Sequence, residues 1–202
     1  DGSAKEVVYI DGGHHGNEHL GTELAFLTAE HYIEGWVEGD EEVVNVLTNT
    51  ELHILIMLNA DGNDLDTRWN INQVDLNRNY DHHWNEQDET QPGSGPFSEA
   101  ETLANSIYMN TVVPDADLYV TMHTGVWIML YPWGYIPDQP IDWELFHHIR
   151  EDVNTNISEI GSDWKSWDGT KYVYEQDRAY FVRLSGGSVW KIYFTQYAGG
   201  PA

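Results

Sequence analysis

The stretch KEVVYIDGGHH, residues 5–15, decides how this chain folds. Its first six residues are apolar and β-branched for most of their length, which predicts a short buried strand. The Asp-Gly-Gly that follows predicts a turn at the end of that strand. The next segment, 18–36, carries Leu20, Leu24 and Leu27 at helical spacing. A buried strand that leads through a turn into a helix predicts an α/β fold.

The same alternation of strands and helices continues along the rest of the chain. Further strands are predicted at 51–58, 117–123 and 127–131, and further helices at about 98–111, 142–160 and 189–197. Ser98 and Glu101 predict a capping box at the start of the first of these helices. This order favours a mostly parallel, mixed sheet with helices on both faces. The segment 161–170 is predicted to be a surface loop. Because no repeat or linker divides the sequence, we expect a single domain over 1–202.

A long polar stretch, 59–96, separates the second strand from the next helix and is rich in Asn, Asp and Gly. A loop of this length inside a compact domain usually has a function. In a parallel α/β fold, ligands bind beyond the carboxyl ends of the strands. The polar stretch is therefore expected to form part of a site at that edge of the sheet.

The charge balance excludes several classes of partner. The chain has 34 acidic and nine basic residues, a formal net charge of −25. Such a surface repels nucleic acid and anionic membranes, so neither is expected as a partner. Nine Trp and twelve Tyr argue against disorder. We interpret the acidity as that of a halophilic protein, whose self-repulsion concentrated salt screens; an ordinary acidic protein is the alternative.

The chain has no cysteine, so disulfides, thiolate metal sites and a cysteine nucleophile are excluded. Any metal ion must be held by histidine and carboxylate. No stretch approaches the roughly 20 apolar residues that a membrane span requires, so membrane insertion is not expected.

One His-x-x-Glu pair follows the first strand, formed by His15 and Glu18. Spacing of three allows both side chains to face one point if the turn enters a helix. The neighbouring His14 and His19 leave the choice of histidine open from spacing alone. His123 ends the strand DLYVTMH, at the carboxyl edge of the sheet, where residues that hold a bound ligand are expected. Together, His15, Glu18 and His123 form the His₂Glu set of a catalytic zinc, with a fourth position left for water.

The polar stretch contributes a second group of candidates, in the segment DLNRN at 75–79. Asp75 is able to accept a hydrogen bond from a ligand histidine and so fix its tautomer. Asn77 and Arg78 offer donors for a carboxylate, which arginine binds in a bidentate manner. Arg68 is a further cation in a chain that has few. Salt bridges to neighbouring Asp are the alternative interpretation of these cations.

Four segments carry a resemblance to a known family. They are GGHHGNEHLG (12–21), NADGNDLDTRWNINQVDLNRNY (59–80), LYVTMHTGVWIMLYPWG (118–134) and LSGGSVW (184–190). In order and spacing the chain resembles the zinc carboxypeptidases, the family that contains carboxypeptidases A, B and T. The resemblance implies a carboxypeptidase-like fold and removal of C-terminal residues from peptides or proteins with the help of one zinc ion.

The resemblance also implies a role for particular residues. His15, Glu18 and His123 match the zinc ligands, and Asp75 matches the residue that supports the first of them. Arg68 matches the arginine that polarises the scissile carbonyl. Asn77 and Arg78 match the pair that binds the terminal carboxylate of the substrate. Val189 matches the position that sets side-chain preference, and an apolar residue there implies a preference for apolar or aromatic C-terminal residues. Tyr180 is the nearest match to the family's mobile tyrosine.

The sequence departs from the family at its general base. That residue is a Glu roughly fifteen residues after Ser-Gly-Gly-Ser, where this chain reaches its Gly199-Gly200-Pro201-Ala202 end. We expect a carboxypeptidase-like domain that is incomplete at both ends and lacks the part with this Glu. General acid–base catalysis contributes roughly 10²–10⁴-fold, so turnover is expected to be poor without it.

Two other functions stay open from the sequence. The form His-Gly-Asn-Glu at 15–18 recurs in related zinc amidohydrolases and deacylases, which favours hydrolysis of another amide. The missing Glu favours a zinc- and peptide-binding module with little turnover. By analogy with the family, we expect a secreted or extracellular protein.

Overall fold

A computed structural model describes residues 5–84, 90–125, 130–133 and 137–158 of the chain, and four short strands between residues 165 and 193. From residue 153 onward only the backbone of the helix and strands is described. The chain divides into two compact units, residues 1–127 and 128–202. Each unit is described by itself.

The first unit contains a parallel three-stranded sheet with order β2-β1-β3. This confirms the prediction of an α/β fold with parallel strands. Its elements, in chain order, are β1 Glu6–Gly12, α1 His19–Glu38, α2 Glu41–Asn49, β2 Thr50–Leu55, α3 Ala60–Asp64, a 3₁₀ turn Leu76–Arg78, α4 Ala100–Thr111 and β3 Leu118–Met122.

The strand β1 lies in the middle of this sheet. The chain crosses from β1 to β2 on one side of it, and later crosses from β2 to β3 on the other side. Right-handed crossovers in opposite directions place their helices on opposite faces. Gly12 accordingly lies against Ala25 of α1. On the other face, Tyr9 contacts Tyr108 and Asn105 of α4. The carboxyl end of β1 is therefore a topological switch point, where ligands of such sheets bind.

The face that α1 turns to the sheet is made of small residues rather than of its leucines. Its buried positions are Gly21, Thr22, Ala25 and Gly35, whereas Leu20, Leu24 and Leu27 are about two-fifths exposed. The predicted helix is present, but the leucine spacing does not identify the packed face. Small side chains allow the helix axis to approach the sheet closely, which leucines would prevent.

The helix α2 was not predicted from the sequence, which places only a connection between α1 and β2. Its signal is an N-cap: the carboxylate of Asp40 accepts hydrogen bonds from the backbone N–H groups of Glu42 and Val43. An aspartate that satisfies two free N–H groups stabilises the first turn by about 1 kcal/mol. Val43 then packs beneath α1, with 2 % of its surface exposed.

The polar stretch 59–96 is ordered by buried side-chain amides in the parts that the structure describes. Asn79 is fully buried, and its amide donates to the carbonyls of Pro92 and Gly95 and to Ser98 Oγ. Its carbonyl oxygen accepts from the N–H of Glu99. Backbone groups of this loop are thus hydrogen-bonded to a side chain, although they belong to no β-sheet.

The start of α4 differs from the Ser98–Glu101 capping box that the sequence predicts. The N-cap is Glu99, and no side chain caps the free N–H groups. The Glu99 carboxylate instead accepts hydrogen bonds from Asn70, Asn72 and Ser98. Tertiary contacts with the polar stretch therefore replace the local cap.

The second unit contains the helix α5 Trp143–Ser158 and two antiparallel strand pairs. The pairs are β4 Lys165–Trp167 with β5 Tyr172–Tyr174, and β6 Ala179–Arg183 with β7 Val189–Tyr193. The predicted helix 189–197 is wrong over 189–193, because VWKIY is rich in β-branched and aromatic residues and pairs as a strand. The predicted loop 161–170 contains β4. Most of the predicted strand 127–131 lies outside the described residues.

Among the helices that the structure describes, none has the length and apolarity that crossing a bilayer would require.

Candidate metal centre

Three side chains from distant parts of the sequence meet at the carboxyl edge of the parallel sheet. His15 lies in the turn after β1, Glu18 is the N-cap of α1, and His123 follows β3 directly. Each contributes one ligand atom, and these three atoms lie within 4.8 Å of one another. No other such group of three occurs among the residues described. The fold thus brings together the three residues expected from the sequence.

The carboxylate of Glu18 is the centre of this group. His15 Nδ1 lies 2.7 Å from its Oε1, and His123 Nδ1 lies 2.9 Å from its Oε2. The backbone N–H of Thr124 also donates to Oε2, at 3.0 Å. Burial by itself raises the pKa of Glu18, but the hydrogen bonds from His123, His15 and Thr124 hold that pKa well below its ordinary value. The carboxylate is therefore ionised at neutral pH, as a metal ligand must be.

The second ring nitrogen of His15 faces another carboxylate. His15 Nε2 lies 3.1 Å from Asp75 Oδ1, and both side chains are 4 % exposed. Burial lowers the pKa of His15, but the hydrogen bonds to Asp75 and Glu18 outweigh it and raise that pKa. If Nδ1 held a metal ion, the ring proton would lie on Nε2 and be donated to Asp75. Asp75 is therefore placed to fix both the ring orientation and the tautomer of His15.

Arg68 lies beside the same two carboxylates. Its Nε and one terminal nitrogen contact Asp75 Oδ2 at 2.9 and 2.8 Å, and its other terminal nitrogen lies 3.8 Å from Glu18 Oε1. Its side chain is 37 % exposed, so one side of the guanidinium faces solvent. A cation that borders the ligand cluster and stays accessible is suited to meet negative charge on a bound substrate.

Asn77 and Arg78 lie in the short 3₁₀ turn that Asp75 begins. Asp75 Oδ1 accepts from the backbone N–H of Asn77, and the side chain of Arg78 donates to the Asn77 carbonyl. Both side chains are exposed. The residue that supports His15 therefore also fixes the backbone of the two candidate carboxylate-binding residues.

Two glycines allow the parts of the cluster to come this close. A Cβ at Gly16 would lie 2.0 Å from the backbone of Gly62, so the turn with His15 packs directly on α3. A Cβ at Gly21 would lie 2.5 Å from the carbonyl oxygen of Met122, so the first turn of α1 packs on the end of β3. This second contact brings Glu18 next to His123.

The donor set fits zinc. Two imidazole nitrogens and one carboxylate are typical of catalytic zinc sites, which have three protein ligands and one open position. Glu18 Oε1 and Oε2 lie 2.7 and 2.9 Å from the rings of His15 and His123, and one ligand atom of each residue lies within 4.8 Å of the others, so the three donors face one point.

The structure decides between the neighbouring histidines, which spacing does not. His19 is exposed and contacts Asp66 and Asn63 on the surface. His14 is 2 % exposed and faces Tyr80 and Asp11 rather than Glu18. Neither contributes to the ligand cluster.

Sequence reasoning missed the buried polar residues around His14. The sequence predicts a turn at Asp11, yet this residue belongs to β1 and is fully buried. Its carboxylate accepts a hydrogen bond from Tyr119, 2.7 Å away on β3. An acidic residue at the end of an apolar run was the available signal, but the following glycines favoured a turn.

Tyr180 and Val189 are placed only by their backbones, in β6 and β7, where they pair with Ile192 and Arg183 respectively. Their side chains, and the segment 184–188, lie outside the described residues. Their roles in catalysis and specificity stay predictions.

Comparison with known proteins identifies the family to which the chain is similar. The sequence profile of the zinc carboxypeptidases matches residues 1–198. Carboxypeptidase B of Astacus astacus is 24 % identical, over 86 % of this chain and 70 % of its own length. Human carboxypeptidase O is 26 % identical over 86 % of this chain, which spans about half (52 %) of that relative.

Solved structures show the same fold at low identity. Thrombin-activatable fibrinolysis inhibitor superposes with a TM-score of 0.71 at 21 % identity, over 79 % of this chain and 45 % of its own. Carboxypeptidase A of Helicoverpa armigera gives a TM-score of 0.64 at 21 % identity, over 80 % of this chain and 44 % of its own.

Proposed function

This chain belongs to the zinc carboxypeptidase family, and on that premise we propose that it is a metallocarboxypeptidase that removes C-terminal residues from peptides with one zinc ion. The observation that supports the proposal most directly is the convergence of His15, Glu18 and His123 at the switch point of the sheet. Residues that lie 105 positions apart have no local reason to meet there.

In this proposal the three clustered side chains hold the zinc ion. The chemistry that zinc supplies when bound is Lewis acidity, which activates water and polarises a carbonyl. Asp75 keeps the proton of His15 on Nε2 and so leaves Nδ1 free as the ligand atom. Arg68 offsets negative charge on the carbonyl oxygen of the substrate, a contribution of about 3 kcal/mol for one such donor.

Asn77 and Arg78 restrict the reaction to the last peptide bond. Both side chains are exposed on the turn that follows Asp75. Arg78 is able to bind the terminal carboxylate through two parallel hydrogen bonds. Holding that carboxylate positions the adjacent peptide bond at the metal centre. We further propose a preference for apolar or aromatic C-terminal residues, on the basis of Val189.

The experiment that tests this function compares two forms of one peptide, with a free and with an amidated C-terminus. Zinc content is measured on the same protein sample by mass spectrometry. We expect one zinc ion per chain and release of the last residue from the free form only. Arg78→Ala should raise the KM for that peptide with a smaller effect on kcat, because it removes a binding contact.

Two results would replace the proposal by another function. Cleavage of the amidated peptide at a similar rate would indicate an amidohydrolase or deacylase, which the His-Gly-Asn-Glu segment also favours. Bound zinc without hydrolysis of either peptide, at low and at molar salt, would indicate a zinc- and peptide-binding module. Secretion and adaptation to high salt are further parts of the proposal, the second resting on the net charge of −25.

A further inference from the structure

Next to His15 and His123, the first unit contains a row of four polar side chains, three of them buried. We call it the buried polar chain: Asn105, Tyr80, His14 and Asp11. Asn105 Nδ2 lies 2.9 Å from the Tyr80 hydroxyl, which lies 2.9 Å from His14 Nε2. His14 Nδ1 is 3.4 Å from Asp11 Oδ1. Asn105, His14 and Asp11 are at most 3 % exposed.

The hydrogen bonds of the buried polar chain have one consistent direction. The carbonyl oxygen of Asn105 is engaged by the hydroxyl of Tyr9, so its NH₂ group donates to Tyr80. The Tyr80 hydroxyl accepts from Asn105 and so has its own proton available for His14 Nε2, 2.9 Å away.

The other ring nitrogen of His14 faces β1 and β3. His14 Nδ1 lies 3.4 Å from Thr121 Oγ1 on β3 and 3.4 Å from Asp11 Oδ1 on β1. The imidazole of His14 is thus contacted at both nitrogens by groups that belong to other elements.

These contacts join the separate pieces that supply the ligands. His14 precedes His15 in the turn after β1, Tyr80 belongs to the loop that also contains Asp75, and Thr121 lies two residues before His123 on β3. The His14 ring is 5.6 Å from the His123 ring and 5.8 Å from the Tyr80 ring. One buried imidazole therefore links all three segments.

We propose that His14 is a positioning residue, which fixes the relative placement of the His15 turn, the Tyr80 loop and the end of β3, and thereby the spacing of the metal ligands. The inference rests on the proposed metal centre but concerns metal binding rather than hydrolysis. Partners that orient ligands typically contribute 10–100-fold to metal affinity.

The test uses the full 202-residue chain with three variants, Tyr80→Phe, His14→Gln and His14→Leu. Tyr80→Phe deletes a single oxygen atom and keeps the ring contact with Phe97, so it preserves the test if His14→Leu fails to fold. Zinc dissociation constants are measured by competition with a chelator, and ligand geometry by the visible absorption of the Co²⁺-loaded protein. We expect roughly tenfold weaker zinc binding and altered cobalt bands for Tyr80→Phe and His14→Leu. Glutamine, which both donates and accepts, should restore part of the affinity.

The matched control is Tyr108→Phe, which breaks another His–Tyr hydrogen bond of the first unit. The Tyr108 hydroxyl on α4 lies 2.7 Å from His53 Nδ1 on β2, and neither residue belongs to the ligand cluster. We expect it to lower the melting temperature of the metal-free chain without changing zinc affinity or the cobalt spectrum. Unchanged zinc binding and spectra in Tyr80→Phe and His14→Leu would overturn the inference, as would losses no larger than those of Tyr108→Phe. If the unaltered chain bound no zinc, both proposals would fail; zinc binding without hydrolysis would remove the proposed function alone.

Discussion

At the scale of single residues, the metal centre depends on which atom of each side chain is available. His15 has carboxylates at both ring nitrogens, Glu18 at Nδ1 and Asp75 at Nε2. Only the first of these carboxylates also contacts His123. A metal ion that replaces the contacts around Glu18 leaves Asp75 as a hydrogen-bond acceptor, so the two acids have different roles although they contact the same ring.

Replacing Asp75 should therefore weaken zinc binding without removing a ligand. In Asp75→Asn, the amide still begins the 3₁₀ turn, but it holds His15 less strongly and no longer neutralises Arg68. We expect the zinc dissociation constant to rise by roughly 10–100-fold, as measured by chelator competition. Asp66→Asn, which removes the same charge beside the exposed His19, is the control. An affinity equal in the two variants would contradict the role of Asp75.

A second residue-scale prediction concerns Glu99 and acid stability. Burial raises the pKa of Glu99, but hydrogen bonds from Asn72, Asn70 and Ser98 outweigh it and lower the pKa. A carboxyl group whose pKa is lower in the folded state than in the unfolded state, where it is about 4.3, stabilises the protein at pH values above about 4.3. This stabilisation is lost as the pH falls through the folded-state pKa.

Glu99→Gln should lower the free energy of unfolding by about 1–3 kcal/mol at pH 7, because a buried charged acceptor is lost. The difference from the unaltered chain should shrink as the pH falls below about 4. Urea denaturation of the metal-free protein at several pH values measures it. The same substitution at the exposed Glu23 should have little effect at any pH. A Glu99→Gln difference that stays constant down to pH 3 would show that charge is not the cause.

At the scale of elements, the approach of α1 to the sheet places Glu18. The helix packs through small residues, and Gly21 sits against the carbonyl of Met122 at the end of β3. The N-cap of the same helix is Glu18, so any shift of its first turn moves a ligand. Further along α1, Gly35 makes a comparable close contact with Val43 of α2.

These two glycines allow a matched experiment within one helix. A Cβ at Gly21 would lie 2.5 Å from Met122 O, and one at Gly35 would lie 2.6 Å from Val43 Cγ2. Both Gly21→Ala and Gly35→Ala should destabilise the fold by about 1–3 kcal/mol through overpacking. Only Gly21→Ala should also weaken zinc binding, by roughly tenfold or more. Equal zinc affinity in both variants, by chelator competition, would show that α1 does not set the ligand spacing.

At the scale of the whole molecule, the net charge of −25 opposes compaction. Salt shortens the Debye length from about 10 Å at 0.1 M to about 3 Å at 1 M. Repulsion between exposed carboxylates should therefore be removed over this range, whereas buried contacts such as His15 with Asp75 should be affected much less.

The melting temperature should accordingly rise between 0.1 and 1 M KCl. A gain of about 2 kcal/mol corresponds to roughly 4–8 °C for a chain of this size. Calorimetry of the metal-free protein measures it, with sucrose at matched osmolality as the uncharged control. Because screening is nearly complete at 1 M, most of the rise should occur below that concentration. A melting temperature independent of KCl would contradict the proposed adaptation to salt.

The elements that the sequence predicted correctly are those with a strong local signal. β1, α1 and β3 have uninterrupted apolar or helical patterns, and their order gave the parallel sheet. α2 was missed because its signal is a single N-cap aspartate, and β7 was mistaken for a helix because a segment of five residues is too short to show a decisive period. The Ser98–Glu101 pattern did not form a capping box because Glu99 found partners in a loop nearly thirty residues earlier.

By itself, the sequence determined which kinds of atom the centre would use, because a chain without cysteine and with His-x-x-Glu after a strand leaves few other donors. It also supplied the family, through motifs that recur in order. Only the tertiary structure decided that His15, and not His14 or His19, faces Glu18, and that His14 lies in the buried polar chain. The reason is that neighbouring side chains in a turn point in different directions, and their partners, Tyr80, Asp75 and His123, are brought near by packing between elements rather than by spacing along the chain.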